Sequence, residues 1–553
     1  MVVEAESNRE TELKLAVRAE DMAKLRSCPA VASRAKGKAG TKTLESTYYD
    51  TADRRLAGRL VTLRVRKVGN QFLQTVKGAP ERGELGRAEW EHPVAGPAPD
   101  LSAIESQEAL DLLGLVGAAE LQPLFTTLIQ RTVRVVTMGE GETASRIEVA
   151  FDSGEIRGPD GASIPVSEVE LELLEGSAAV LYDLALELAQ AAPLRLDPRT
   201  KAERGYALAD GTVDRVVKAG KLELDAGTTV EGALARILRS CIGHMLANEA
   251  VTLIGEDAEG VHQMRVALRR LRSALALFKD FIPAESYAWL VGEVKWLGGS
   301  LGPARDWDVF LDELLEPVKE SFHRADGHGK PLQEDIDALA AAARARRDRA
   351  YEGVRAAIRS ERYTTFLLKF GAWVESRGWR DQPVSEHSAR LFDPVEDLAD
   401  HLLSRRAKKA RRAGHGFASL SVTERHELRI ALKKLRYAAE FFRSLYDDKP
   451  ARRYIQDLSA FQDALGHLND VATATRLLHE LHDDGSRPEP GEPRAAGIVI
   501  GWHARGEPGE PRAAGIVIGW HARGVAESEP ALRGLWKEFA DAKAFWSKPD
   551  REG

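Results

Sequence analysis

The stretch that decides the fold of the first half of the chain is Glu10-Thr-Glu-Leu-Lys-Leu15. Charged or polar residues alternate with apolar ones, a period of two that is typical of a β-strand. Glu10, Glu12 and Lys14 therefore share one strand face. The alternation recurs as far as about residue 205, between clusters of Gly, Pro and Asp, in the segments 61–66, 72–77, 87–91, 146–151 and 166–173. This many short strands in one domain predict a sandwich or a barrel.

The charged faces of these predicted strands are sorted by sign. Arg64 and Arg66 share one face. Glu168, Glu170 and Glu172 share another. A solvated outer face explains any single strand, but such faces usually intersperse the two signs. Acidic and basic groups that face each other inside a closed barrel would suit a polyanion held with a divalent metal, because carboxylates bind Mg²⁺ or Mn²⁺ and Arg and Lys bind phosphate.

The second half of the chain has a helical pattern. From about Thr228 onward, apolar residues recur at i, i+3, i+4 and i+7, which predicts helices almost throughout. Residues 262–272 match residues 426–436 at an offset of 164, and the same offset relates residues 301–306 to 465–470. Because two separate motifs keep one register, we expect duplicated helical units, in an all-α bundle with an internal pseudo-twofold repeat.

On a helix that turns 100° per residue, each repeated segment places a stripe of cations on the face opposite its apolar residues. The stripes are His262, Arg265, Arg269 and Arg272 in the first copy and His426, Arg429, Lys433 and Arg436 in the second. A third basic stretch covers residues 405–412. A solvated face usually explains one such helix, yet acids that would form i,i+4 pairs are almost absent. A polyanion would neutralise the cations, whereas metal binding is disfavoured because the histidines lack partners at ligand spacing.

Composition bounds the class of protein. The 553 residues are 43% hydrophobic and 29% charged, with 78 Lys+Arg against 85 Asp+Glu and a net charge of −7. These values exclude global disorder, and no apolar stretch reaches the ~20 residues of a membrane span. Two cysteines exclude a disulfide framework. Residues 1–12 lack the apolar core of a secretory signal, so we expect a cytoplasmic protein with no membrane partner.

The strand motifs, taken in order, resemble the CYTH superfamily of triphosphate tunnel metalloenzymes. Glu10-x-Glu12-x-Lys14 looks like the ExExK signature of that family, and it is followed by Leu63-Arg-Val-Arg66, Glu168-Val-Glu-Leu-Glu172 and Lys201-Ala-Glu-Arg-Gly-Tyr206. The resemblance covers about residues 5–207. It implies an α+β domain with an eight-stranded antiparallel β tunnel that binds triphosphate compounds with a divalent metal, here Mg²⁺ or Mn²⁺.

The same resemblance implies roles for individual residues. The metal ligands would be Glu10, Glu12, Glu148, Glu170 and Glu172, with Glu89 and Glu91 as further candidates because neighbouring acids leave the register ambiguous. Lys14, together with Glu10 and Glu12, would form the catalytic group. The substrate-binding side would consist of Arg64, Arg66, Lys77, Arg87, Arg131, Lys201 and Arg204.

The paired His-x-x-Arg helices, with Arg305-Asp306 and Asn469-Asp470, resemble the CHAD domain over about residues 229–548. That resemblance implies binding of inorganic polyphosphate by the two cationic stripes. The predicted domains are therefore 1–207, a linker at 208–228, and 229–548. Residues 491–506 recur letter for letter at 509–524, with a period of 18 residues; this repeat departs from the family pattern, and we expect one copy to be surplus.

These observations predict a metal-dependent hydrolase that converts inorganic triphosphate to diphosphate and phosphate, with inorganic polyphosphate as a second partner. Alternatives are an adenylyl cyclase, a thiamine triphosphatase, or a polyphosphate-binding protein whose tunnel is catalytically idle. Nucleic-acid binding is disfavoured because base stacking needs aromatic residues beside the cations. Near the cationic segments the sequence offers only Tyr437, Phe441 and Phe442 for this role. We expect a cytoplasmic location, with association with polyphosphate granules as a further expectation.

Overall fold

A computed structural model describes residues 9–80, 86–114, 116–212, 215–324, 330–483 and 528–546. The identical repeat within residues 491–524 lies outside these ranges. The chain divides into two compact units, one drawn from residues 1–217, 238–250 and 358–382, the other from residues 218–237, 251–357 and 383–553. Two segments from the helical half thus belong to the first unit. The limits 1–207, 208–228 and 229–548 stay a prediction.

The first unit is built on one antiparallel sheet. Its strands are β1 (Arg9–Val17), β2 (Ala35–Asp50), β3 (Thr62–Val68), β4 (Gln71–Pro80), β5 (Gly86–Val94), β6 (Gln122–Met138), β7 (Ser145–Arg157), β8 (Ser163–Glu175) and β9 (Leu194–Leu196). They follow the order β5-β4-β3-β2-β6-β7-β8-β1-β9, and β1 also pairs with β5. This last pairing closes the sheet into a barrel. The eight strands from β5 to β1 in this order form the closed barrel, which confirms the predicted eight-stranded tunnel, and β9, which pairs with β1, adds a ninth strand to the sheet.

Strand β1 completes the barrel by pairing along both edges. Residues 12–16 pair with β8 on one side, and on the other side residues 9–11 pair with β5 and residues 15–17 with β9. Strand β9 has three residues, too few for an alternating pattern to be recognised in the sequence. This explains why the sequence did not predict β9.

Alternation along the strands sorts side chains between the two faces of the barrel wall. Leu13, Leu15 and Leu171 are buried in a core with Leu184 and Leu368, which covers the outside of the wall. The charged residues between them line the interior of the barrel. The wall is therefore apolar outside, under helices, and charged inside.

The helices of the first half are α1 (Met22–Ser27), α2 (Pro29–Ala32), α3 (Arg55–Gly58), α4 (Gln107–Leu113), α5 (Ala179–Ala191) and α6 (Lys201–Ala209). Those of the second half are α7 (Val230–Ala247), α8 (Glu249–Ile254), α9 (Ala258–Leu277), α10 (Ala284–Asp308), α11 (Glu316–Arg324), α12 (Lys330–Ile358), α13 (Glu361–Glu375), α14 (Glu386–Ala389), α15 (Val395–Ala413), α16 (Val422–Phe442) and α17 (Asp448–Asp483). Residues 309–315 form a π-helix between α10 and α11. Among the described residues, no helix is both long and apolar enough to cross a bilayer.

The sequence repeat is matched in the helix boundaries. An offset of 164 residues carries α9 onto residues 422–441, almost the whole of α16, and carries the first residue of α10 onto the first residue of α17. Both α9 and α16 begin at a capped position, because Asp257 and Ser421 accept hydrogen bonds from the backbone of the first turn. The repeated sequence therefore produces repeated helices.

Candidate functional site

The inward-facing side chains of the barrel enclose a cavity of about 330 Å³. Of the residues predicted for the tunnel, it is lined by Glu10, Glu12, Lys14, Arg64, Arg66, Lys77, Glu89, Glu91, Arg131, Glu148, Glu170, Glu172 and Lys201. Arg204 instead contacts Glu168. Arg87 lies on β5 opposite Glu10, and only its backbone belongs to the described structure. The barrel thus brings most of the predicted residues into one space.

Three carboxylates form a row across neighbouring strands, which we call the acidic row. Glu172 on β8 lies directly opposite Glu12 on β1 and Glu148 on β7. Burial raises the pKa of Glu172 to about 7, and the charges of Glu10, Glu148 and Glu12 add to this effect. Like charges are thus held together, and a cation would relieve their repulsion.

Two lysines approach the acidic row without removing this repulsion. Glu12 is in contact with Lys14. Glu10 accepts a hydrogen bond from Lys77 at 2.6 Å, and the same ammonium lies 2.7 Å from Glu89. Because each lysine is shared or paired elsewhere, the negative potential at the row is only partly compensated.

A second group of acids, the lysine-filled group, contains Asp152, Glu168 and Glu170. One oxygen from each lies within 4.8 Å of the others. The ammonium of Lys201 lies 2.7 Å from Asp152 and 2.9 Å from Glu170 and also contacts Glu168. Arg131 donates to Asp152 at 2.8 and 2.6 Å and contacts Glu170. A lysine and an arginine of the protein therefore occupy the place where a cation would bind.

The effect of these cations is visible in the acidity of Glu170. Burial would raise its pKa, but Lys201, Arg131 and Lys14 hold the pKa of Glu170 well below its usual range. Lys14 Nζ lies 3.9 Å from this carboxylate. Glu170 lines the cavity as predicted, but its charge is already neutralised by the protein.

The opposite side of the cavity carries an excess of positive charge, which we call the basic pair, Arg64 and Arg66. Burial lowers the pKa of Arg66 to about 10, and Arg64 contributes in the same direction. Arg66 Nε donates to Ser46 Oγ at 3.2 Å. Burial opposes ionisation of the nearby Tyr48, yet Arg64 and Arg66 lower the pKa of its hydroxyl. An anion would relieve this positive potential.

Two carboxylates lie beside Arg64 of the basic pair. Burial would lower the pKa of Arg64, but Tyr48, Glu89 and Glu91 raise it. Arg64 Nη2 lies 3.5 Å from Glu89 and 3.7 Å from Glu91, and its buried Nε makes no hydrogen bond within the described structure. The two signs are therefore not separated into an acidic and a basic wall, since these acids lie beside the basic strand. The negative row and the positive pair are thus each compensated only in part.

Several lining residues were not among the predicted site residues. Asp152 is fully buried and occupies the same face of β7 as Glu148 (the parity of the two positions could have identified it). Tyr48 and Ser46 lie opposite Arg64 and Arg66 on the adjacent β2. Nothing in the local sequence distinguishes Ser46 from an ordinary strand serine, so its role depends on the register of β2 against β3.

The predicted cationic stripes belong to the helical unit, and they are less open than a solvated face. Arg272 and His426 are exposed, whereas His262, Arg265, Arg269, Arg429, Lys433 and Arg436 are half-buried. Arg265 Nη1 donates to the Gly298 carbonyl of α10 at 3.0 Å. Burial, reinforced by Arg305, lowers the pKa of His262 to about 4. This imidazole is therefore neutral at pH 7 and adds no charge to the stripe.

Comparison with known proteins agrees with this fold. Residues 8–206 match the CYTH domain and residues 236–479 match the CHAD domain. The first match covers the charged antiparallel barrel and the second covers the repeated helices. The chain therefore contains a CYTH domain followed by a CHAD domain.

Relatives of this chain include proteins of two bacteria. Over 172 residues it is 33% identical to the inorganic triphosphatase of Haemophilus influenzae, a match that spans 30% of this chain and 46% of that protein. Over 469 residues it is 26% identical to an uncharacterized protein of Mycobacterium tuberculosis, 80% of this chain and 82% of the relative. The crystal structure of the CHAD domain from the plant Ricinus communis is 28% identical, with a TM-score of 0.46, covering 60% of this chain and 99% of that one.

Proposed function

We propose that the barrel hydrolyses inorganic triphosphate to diphosphate and phosphate with a divalent cation, Mg²⁺ or Mn²⁺. The observation that carries the proposal is the presence of two groups of opposite charge in one cavity, each compensated only in part: the negative acidic row and the positive basic pair. A triphosphate bound with a metal would neutralise both at once. The similarity to an inorganic triphosphatase supports the same substrate.

The acidic row fits a hard divalent cation. Glu12, Glu148 and Glu172, with Glu10 beside them, offer carboxylate oxygens, the ligands that Mg²⁺ and Mn²⁺ prefer. The raised pKa of Glu172 is the sign that Lys14 and Lys77 compensate the negative charge of this group only in part. Glu170, also predicted as a ligand, is proposed instead to hold Lys201 and Arg131. When bound, a divalent cation would neutralise phosphate oxygens and acidify a bound water.

The cations of the cavity have two different proposed roles. Arg64 and Arg66 are proposed to bind phosphate oxygens directly, with Lys77 beside the acidic row. Arg131, Lys201 and Arg204 contact carboxylates of the lysine-filled group and are proposed to keep that wall rigid. Arg87 stays a predicted substrate ligand.

The reaction itself needs an aligned water and charge neutralisation. The water oxygen attacks the terminal phosphorus, the bond to the bridging oxygen breaks, and diphosphate leaves. The proton of the water passes to a carboxylate of the catalytic group, Glu10 or Glu12, whose position is fixed by contacts with Lys77 and Lys14. No nucleophilic side chain is required.

The lining favours a substrate without a base. Apart from Leu44, Ile129, Ala202 and the ring of Tyr48, the lining residues are charged or carry hydroxyl groups. An adenine or thiazole ring would need a larger apolar surface. This favours inorganic triphosphate over the substrates of an adenylyl cyclase or a thiamine triphosphatase.

Phosphate release from tripolyphosphate, ATP and thiamine triphosphate, with Mg²⁺ or Mn²⁺, tests the proposal. We expect tripolyphosphate to be the best substrate and Glu10→Ala to lower its turnover at least about 100-fold. Arg146→Ala is the matched control, because Arg146 is exposed and pairs with Glu175 on the barrel surface. Equal turnover in Glu10→Ala and wild type would overturn the mechanism and favour an idle tunnel.

We also propose that the CHAD domain binds inorganic polyphosphate. The two cationic helices support this, because a flexible chain of phosphates would release counterions on binding. Competition with single-stranded RNA at equal phosphate concentration tests it: easy displacement by RNA would contradict the proposal. A cytoplasmic location with association with polyphosphate granules stays a prediction.

A further inference from the structure

Helices α9 and α16 contact each other within the helical unit, and the 164-residue offset relates two places on this contact. At the first place, Arg270 of α9 lies near Arg436 and Glu440 of α16. The corresponding residues at the second place are Lys434 of α16 and Arg272 and Ala276 of α9. The two places therefore differ in one acid, since Ala276 replaces the glutamate.

The first place, which we call the acid-bridged site, is internally neutralised. Glu440 lies 2.7 Å from Arg270 Nη1 and 3.5 Å from Arg436 Nη1. Arg270 is 5% exposed, and its guanidinium lies 5.0 Å from the centre of the Phe441 ring. A buried cation with a bonded carboxylate needs no external anion.

The second place, which we call the basic site, gathers four cations: Arg272, Arg406, Lys409 and Lys434. Helix α15 approaches here, because Arg406 Nη2 donates to the Ala276 carbonyl at 3.4 Å. Burial lowers the pKa of Lys434, and the charges of Arg406, Lys409 and Arg272 lower it further. Burial and Arg405 lower the pKa of Arg406. In the part of the chain that the structure describes, these four side chains form no ion pair.

We propose that the basic site binds phosphate groups and that the acid-bridged site does not, so that the helical repeat is asymmetric in function. The inference rests on the proposed polyphosphate binding of the CHAD domain and assigns it a place. Three of its four residues, Arg406, Lys409 and Lys434, lie outside the predicted stripes. Conversely, Arg436 belongs to a predicted stripe but lies beside Glu440.

The physical reason is the cost of keeping cations together. At the basic site each cation repels its neighbours, and phosphate oxygens would replace this repulsion by charge-assisted hydrogen bonds. Arg272 and Lys409 are exposed and so are accessible to a phosphate chain. At the acid-bridged site, a phosphate would compete with Glu440 for the same guanidinium groups.

Binding of long-chain inorganic polyphosphate to the full-length protein tests the asymmetry. Ala276→Glu places an acid at the position that corresponds to Glu440, and we expect it to weaken binding at least about tenfold. Lys409→Glu, an exposed change on α15, should have a similar effect and covers the case in which Ala276→Glu does not fold. Arg272→Ala should lower the slope of affinity against salt by about 1, and Arg436→Ala should lower it less.

The controls separate this inference from the proposed function. Tripolyphosphate hydrolysis by Ala276→Glu should equal that of wild type, which confirms a folded barrel. If wild type fails to bind polyphosphate, the proposed function of the CHAD domain fails. If wild type binds and Ala276→Glu and Lys409→Glu bind equally well, or Arg436→Ala loses as much as Arg272→Ala, the asymmetry is overturned.

Discussion

The two acidic groups of the barrel differ in what neutralises them, although both include residues of β7 and β8. In the lysine-filled group, Asp152, Glu168 and Glu170 surround the ammonium of Lys201. In the acidic row, Glu172 keeps a pKa of about 7 beside Glu148. The number of carboxylates therefore does not identify a metal site. A site for an external cation is one that the protein has left without its own counter-charge.

The largest effect is expected from Glu172→Gln in the acidic row. We expect the turnover of tripolyphosphate to fall about 100-fold or more, since a cation ligand is lost. At the same time, the metal-free variant should be more stable than wild type at pH 8, because the neutral amide removes like-charge repulsion. Steady-state phosphate release and urea unfolding in a chelator measure the two effects. A parallel loss of both would show that Glu172 supports the fold and not a cation.

Lys201→Met tests the other member of the comparison, the lysine-filled group. Removal of the ammonium leaves Asp152 and Glu168 buried without their main counter-charge, and we expect the free energy of unfolding to fall by about 3–5 kcal/mol. Urea unfolding at pH 7.5 measures it, with the exposed Arg146→Ala as control. Unfolding energies within about 1 kcal/mol of wild type would contradict the neutralising role of Lys201.

Arg66→Met removes a buried cation from the basic pair. We expect KM for tripolyphosphate to rise about 10–100-fold, since a charge-assisted contact with phosphate is lost. The metal-free variant should keep its stability, because Arg66 has Ser46 as its hydrogen-bond partner and forms no ion pair with a carboxylate among the residues that the structure describes. Steady-state kinetics and thermal melting check both parts, and a lowered melting temperature with unchanged KM would refute the assignment.

The smallest effect concerns pH. Glu172 in the folded protein holds its proton up to about pH 7, and a bound cation must displace that proton. Affinity for Mn²⁺ should therefore rise about tenfold between pH 6 and pH 8. Without metal, the folded state binds more protons than the unfolded state from about pH 4.5 to 7, so stability should fall as pH rises through this window. Calorimetric titration with Mn²⁺ and urea unfolding, each at several pH values, test the direction of these two pH dependences. Glu172→Gln is the control, and we expect both pH dependences to be absent from this variant.

Much of the barrel can be predicted from local sequence pattern. The alternation at residues 10–15 places Glu10, Glu12 and Lys14 on one face, and the structure brings them into the cavity. The register between the strands of the sheet cannot be predicted in this way. That Glu12 lies opposite Glu172 depends on hydrogen bonds between strands about 160 residues apart, and no local feature of either strand determines it.

Long-range pairing also explains what the sequence could not show about charge. The ion pairs of Glu170 with Arg131 and Lys201 join three elements that are distant in sequence. Strand parity assigns Glu170 to the cavity, but only the packed structure shows that its charge is satisfied. In the helical half, the offset of 164 residues predicted duplicated helices, because a repeated apolar face makes repeated contacts. The offset could not assign residues 358–382 to the first unit, since an amphipathic pattern predicts that one helix face is buried but not which core this face packs against.

The pairing of β1 with β5 and β8 has a consequence for synthesis on the ribosome. Strand β1 emerges first, but its partner β8 follows only at Ser163–Glu175, and α13, which packs against α5 in the first unit, ends at Glu375. At ~5–20 residues per second, the nascent first strand waits on the order of half a minute before that unit is complete. Its alternating charges, which later line the cavity, also keep this unpaired strand from pairing with other nascent chains. The residues proposed for chemistry in the finished protein would thus protect the chain before it has folded.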